Sequence, residues 1–202
     1  MDGQQHEGTT FLGYRFQPFR LADKAMLEDY LRRFPQRISG YTFASLAAWS
    51  QPFSITWFRL GPKCLLLSRT VPEAGGERHL LQPIGVPTDA CCEDIMTEAA
   101  RLTYRLKILY VARAYMDQIG TLCRQFEAEE DRGGANYLYL ARDLADLPGR
   151  NYAKKRNLIA QFLTLHPDWE AVPLDARCGP PCRDVLLAIA HGEGIVADNA
   201  SL

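Results

Sequence analysis

The run Tyr137-Leu138-Tyr139-Leu140-Ala141-Arg142-Asp143-Leu144-Ala145-Asp146-Leu147-Pro148-Gly149-Arg150-Asn151-Tyr152-Ala153-Lys154-Lys155-Arg156-Asn157 carries more chemical information than any other part of this 202-residue chain. Its first four residues, alternately aromatic and aliphatic, read as a short buried strand. Pro148-Gly149 punctuates the run, and Leu158, Ile159, Phe162 and Leu163 then recur at helical spacing. The expected order is strand, turn, basic helix.

A helix start leaves backbone N–H groups unpaired at the positive end of the macrodipole, so anions settle there. Arg150, Lys154, Lys155 and Arg156 add formal positive charge to the same turns. A phosphate or carboxylate partner is therefore chemically sensible. At roughly 100° per residue, Lys155 aligns with the apolar face of Leu158, Ile159, Phe162, Leu163 and Leu165, one turn before those residues begin. Two readings stay open for it: a lysine pointing along the end of the core into a cleft, or a stem that snorkels past the sheet edge with its ammonium in water.

The same run resembles the signature of an uncharacterised bacterial family related to the C-terminal domain of phosphatidylglycerol lysyltransferases, built from tandem acetyltransferase-like (GNAT) folds. Tyr137, Asp143, Leu144, Leu147, Gly149, Lys155, Arg156 and Asn157 match that pattern position by position. Weaker similarity runs back to Phe19, through Tyr41-Thr42-Phe43, Trp49 and Gln82-Pro83-Ile84-Gly85, and forward to about Leu174. The resemblance implies an α/β (α+β) fold with a mixed, largely antiparallel sheet covered by helices. It also implies a transferase of the aminoacyl or acyl type, with aminoacyl-tRNA or acyl-coenzyme A as donor and no intrinsic cofactor. In that reading Arg150, Lys154, Lys155 and Arg156 hold phosphate and Asn157 orients donor atoms. Asp143 either caps a turn or orients a base.

Composition bounds these expectations. A 47% hydrophobic content suits a globular protein with a real core, and a net charge of −1 confines any anion binding to a local patch. No stretch approaches the roughly 20 apolar residues of a membrane span, and Met1-Asp2-Gly3-Gln4-Gln5-His6-Glu7 lacks the basic-then-apolar order of a signal peptide. A cytoplasmic protein is expected, with membrane contact only at a surface. Cys64, Cys91, Cys92, Cys123, Cys178 and Cys182 form no regular framework and read as free thiols.

In order along the chain, residues 1–13 are polar and glycine-containing and are expected to fray. Residues 14–174 are expected to form the acetyltransferase-like domain, and 175–202 a divergent tail or the remnant of an incomplete second half. Asp23 can cap a helix carrying Met26, Leu27, Tyr30, Leu31 and Phe34, which ends before Pro35; a second short helix spans Thr42 to Trp49. Phe53–Leu60 and Cys64–Arg69 read as strands joined by Gly61-Pro62-Lys63, with further strands at His79–Ile84, Leu106–Val111 and Trp169–Leu174. Thr88 or Asp89 starts a helix to Ala100, another helix reaches Glu127, and a short apolar helix covers Val185 to Ala190.

Several local patterns carry no site. Gly75-Gly76 lacks the Gly-Lys-Ser/Thr ending of a phosphate loop, and Glu127, Glu129, Glu130 and Asp131 read as a solvated helix end. Cys178, Cys182 and His191 fall short of the four ligands of structural zinc, so no metal is expected. His79, His166 and His191 read as structural or solvent-facing. Two function classes remain open: the transferase, and a non-catalytic anion- or RNA-binding module that kept the basic helix and lost the transfer site.

Overall fold

The computed structural model describes residues 8–119, 125–175 and 178–190, which fall into two compact units, Met1–Tyr137 and Leu138–Leu202. The first unit is a mixed α/β structure. Its strands are β1 (Thr9–Phe11), β2 (Tyr14–Pro18), β3 (Thr56–Arg59), β4 (Cys64–Val71), β5 (Glu77–Leu81), β6 (Ile84–Gly85) and β7 (Ile108–Leu109). They form one sheet in the order β1-β2-β3-β4-β5-β7, with β6 paired to β4. Every pairing is antiparallel except β5 with β7.

The sequence of β4 explains the layering. Cys64-Leu65-Leu66-Leu67-Ser68 is buried throughout, as a central strand covered on both faces must be. Alternation sends Leu65 and Leu67 to one face, where they meet Leu27 and Tyr30 of α1 (Lys24–Arg33) and Leu46 of α2 (Phe43–Ser50). Cys64 and Leu66 face the other way, onto Phe11, Phe16, Leu80 and Ile95 of α3 (Asp89–Ala99). A smaller cluster joins Cys92 to Tyr115 of α4 (Arg113–Met116).

Side-chain caps set two of these helices. Thr42 Oγ1 accepts from the Ser45 N–H at 3.1 Å, and Thr88 Oγ1 accepts from the Cys91 N–H at 3.4 Å. Asp23 precedes α1 as expected, but its carboxylate accepts from Arg20 N–H and Trp57 Nε1 instead of the helix's own amides. The Phe53–Leu60 strand begins only at Thr56, because Ser54 takes φ +44 and turns the chain.

The second unit contains α5 (Ala141–Asp146), a 3-10 turn at Arg150–Tyr152, α6 (Ala153–Leu165) and α7 (Gly179–Ala190). Neither α5 nor α6 buries a side chain.

Several expectations need correction. Thr9–Phe11, within the stretch expected to fray, pairs with β2 across a turn at Leu12 (φ +51) and Gly13 (φ +74), since Phe11 and Leu12 supply apolar side chains for the core. Tyr137–Leu140 forms no strand: the four residues are irregular and exposed, and no described strand of the second unit offers them a ladder. Trp169–Leu174 is irregular for the same reason, with Trp169 set edge-on to Phe162 at 6.0 Å. The boundary between the two compact units falls at Tyr137/Leu138. Residues 125–127 are not helical, and residues 120–124 of that expected helix lie outside the described residues. Instead of ending a helix, Asp131 accepts from the N–H groups of Gly133 and Gly134 in a tight turn.

Candidate functional site

The basic segment is built from its turn outward. Leu147 ends α5 in the left-handed region (φ +45), where its N–H donates to Asp143 O, and Gly149 supplies a second positive φ of +72. Pro148 cannot continue the helix, so the chain reverses and restarts through the 3-10 turn into α6. No side chain caps either start, at Gly149 or at Tyr152; the Ala153 N–H donates to Arg150 O, so the 3-10 turn supplies a backbone partner at the positive end of α6.

Each expected site residue has a distinct position in this frame. Arg156 folds back on the turn: Nη1 donates to the carbonyls of Leu147 and Gly149, the latter at 2.8 Å. It acts as a clasp, and part of its donor set is already used. Arg150, Lys154, Lys155 and Asn157 are exposed, and their side chains make no hydrogen bond or ion pair to any described residue. Asp143 is not an N-cap. That position belongs to Leu140, while Asp143 lies in the first turn of α5 with one oxygen 3.5 Å from Arg142 Nε. The arrangement can hold an anion through Arg150, Lys154 and Lys155 at the positive end of α6.

The weaker segments singled out in the sequence meet in the first unit. Tyr41 Oη donates to Gln82 O at 2.9 Å, Gln82 Oε1 accepts from Ala112 N–H at 2.7 Å, Gln82 Nε2 donates to Gln36 Oε1, and Tyr115 Oη donates to Gly85 O at 2.8 Å. Among the described residues no buried side-chain N or O atom lacks a partner, so this hub fixes the Gln82–Gly85 backbone. Burial raises the Tyr41 phenol well above its usual range.

Other titratable groups of the first unit are equally committed. His79 is 1% exposed; Nδ1 accepts from Lys107 N–H at 3.3 Å and Nε2 lies 3.3 Å from Glu77 Oε2. Burial pushes the thiols of Cys64 and Cys92 up to about 12 and about 11, so neither is a ready nucleophile. Among the described residues no three His, Cys, Asp or Glu side chains come together as a metal site; His191 lies outside them. No described helix is long and apolar enough to cross a membrane.

Sequence reasoning missed the inner polar line of Thr56, Ser68 and Arg78. Arg78 Nη1 donates to Thr56 Oγ1, Ser68 Oγ and Ser54 O at 3.0, 3.0 and 3.1 Å. The only available signal was a pair of small hydroxyls, Thr56 just before Trp57 and Phe58 and Ser68 just after Leu65, Leu66 and Leu67.

The family described as phosphatidylglycerol lysyltransferase, C-terminal, matches residues 31–190. No curated protein matches the chain. Among solved structures, a conserved protein of unknown function from Bacteroides thetaiotaomicron VPI-5482 has a TM-score of 0.72 at 23% identity. The match covers 88% of this chain and 60% of that one, and it is a likeness of fold. Because the family match extends from within α1 to the end of α7, the chain belongs to the phosphatidylglycerol lysyltransferase C-terminal family.

Proposed function

We propose that the protein is an aminoacyl- or acyl-transferase-like protein of acetyltransferase-like (GNAT) fold, acting in the cytoplasm. The start of α6 binds the phosphate of a donor such as aminoacyl-tRNA or acyl-coenzyme A. The observation that carries this reading is the set of Arg150, Lys154 and Lys155, exposed and without carboxylate partners among the described residues, at a helix start that no side chain caps. Membership in a lysyltransferase family supports it. Transfer would draw on proximity and on hydrogen bonds to a tetrahedral oxyanion, with Asn157 orienting donor atoms and Asp143 steadying α5 through its first turn. The second reading, a non-catalytic RNA-binding module, is favoured by the burial of Cys64, Cys92 and His79 and by the use of both His79 nitrogens.

Filter binding of tRNA at two salt concentrations tests the shared part of both readings. A Lys154→Ala, Lys155→Ala double variant is expected to weaken binding and to reduce the salt slope by about two. Arg156→Ala is expected to loosen the Leu147–Gly149 turn, seen as faster amide exchange there. Unchanged affinity and slope in the double variant would reject the phosphate site. Aminoacyl transfer to an amine or hydroxyl acceptor, assayed with the same tRNA, then separates enzyme from binding module.

A further inference from the structure

Four side chains at one end of the first unit's sheet form a continuous stack. The Trp49 and Phe53 rings lie 5.4 Å apart at 35°, and the Arg69 guanidinium sits 3.7 Å from the Phe53 centroid. Tyr110 follows, 5.8 Å from that guanidinium, with its hydroxyl accepting from Arg69 Nη1 at 3.1 Å. Backbone bonds hold the order: Phe53 N–H donates to Trp49 O, and Thr70 N–H donates to Phe53 O at 2.8 Å. Arg69 Nε donates to Thr70 O.

Three features separate this stack from ordinary packing. Both ends are open to water, Trp49 being 56% and Tyr110 45% exposed. Tyr110 takes φ +57, a left-handed backbone that an aromatic residue adopts only at a cost. The Arg69 cation has no carboxylate in ion-pair range among the described residues. A half-exposed indole at one end of a stack that carries a guanidinium without a carboxylate attracts a flat ring attached to an anion.

We infer that the Trp49-Phe53-Arg69-Tyr110 stack is a nucleobase platform, taking an unpaired adenine on the open face of Trp49. Base–aromatic stacking is the usual device for holding single-stranded nucleic acid, and Arg adds a cation–π component. The inference rests on the nucleotide-bearing donor of the preceding reading, since both donors carry adenine, yet it involves none of the α6 residues. Adenine in coenzyme A and adenine at a single-stranded RNA end present the same ring.

Calorimetric titration of the whole chain with adenosine, ribose 5-phosphate, coenzyme A and an oligoadenylate tests it. Adenosine is expected to bind saturably and ribose 5-phosphate not to compete for its site. Trp49→Ala is expected to weaken adenosine about tenfold, whereas Trp49→Phe retains a ring and most of the affinity. The Lys154→Ala, Lys155→Ala variant is expected to leave adenosine binding intact, so failure of the phosphate site and failure of the platform read out separately. Tighter binding of oligoadenylate than of coenzyme A assigns the platform to RNA, and the reverse to the coenzyme. Adenosine binding that is absent, or unchanged in Trp49→Ala, overturns the inference and leaves the open rings to an aromatic side chain of another protein.

Discussion

Gly85 takes φ +87 in β6, and a Cβ built on it would stand 2.0 Å from the carbonyl oxygen of Lys63. That contact is with backbone, so no side chain can swing aside to relieve it. Gly75 has a similar φ of +68 with nothing within 4 Å. The two glycines therefore separate backbone conformation from close approach. Gly75→Ala is expected to cost about 1 kcal/mol, the left-handed penalty alone. Gly85→Ala is expected to cost about 3 kcal/mol or more, because the β4–β6 pairing must open as well. Urea unfolding midpoints of the two variants check this, and equal losses would mean that the strand shifts freely. Gly85 was quoted in the sequence only as part of a resemblance; its reason, a neighbour 22 positions upstream at Lys63, is a tertiary fact that no local pattern records.

At the scale of elements, the β5–β7 seam depends on a neutral imidazole. His79 Nδ1 accepts from the Lys107 N–H just ahead of β7, so a proton on that nitrogen replaces an acceptor with a clash of donors. Burial lowers the His79 pKa below its usual 6.5; Glu77 opposes that shift, while Lys107 and Arg69 reinforce it, and the Tyr104 ring packs edge-on at 5.4 Å. A group with a depressed folded-state pKa that is neutral when folded binds its proton more readily in the unfolded chain. Its contribution is thus intact above about pH 6.5 and drains away as pH falls toward the folded-state value. Urea midpoints are expected to drop between about pH 7.5 and about pH 5.5, and His79→Gln, which keeps an oxygen acceptor, is expected to flatten that drop. An undiminished drop in the variant would assign the effect to other groups. Helices α1, α2 and α3 were legible because their signals are local: Thr42 and Thr88 at the helix starts, Pro35 as a stop, and Leu27 with Tyr30 on one face. Tyr137–Leu140 was misread because alternation describes a strand only where a partner strand exists, and pairing is non-local. Among the site residues, Lys154 and Lys155 were legible as charge, while Arg156 was not legible as a clasp because its partners are carbonyls, which every residue carries.

Across the whole molecule, apolar burial is distributed unequally between the two units. In the first, β4 is bonded to β3, β5 and β6 and its Leu65, Leu66 and Leu67 are fully buried. In the second, the apolar side chains of α6 keep large exposed fractions, among them Leu158 at 49%, Ile159 at 48% and Phe162 at 46%. A 13-residue helix near the marginal length for an isolated helix gains little from propensity alone, so its persistence depends on packing. The sequence could not announce this division, since Leu158, Ile159, Phe162 and Leu163 have the same spacing as a core-facing stripe. Amide hydrogen exchange on the full chain gives the decisive contrast. The amides of Leu65, Leu66 and Leu67 are expected to exchange only through global unfolding, and those of α6 through local opening with protection at least about a hundredfold lower. Addition of tRNA is then expected to slow exchange in the first turns of α6, where an anion held by Lys154 and Lys155 would sit at the positive end of the helix. Protection in α6 that equals that of β4 without ligand would show that the helix is already held by burial, and the exposed stripe of Leu158, Ile159 and Phe162 would have to be covered in solution.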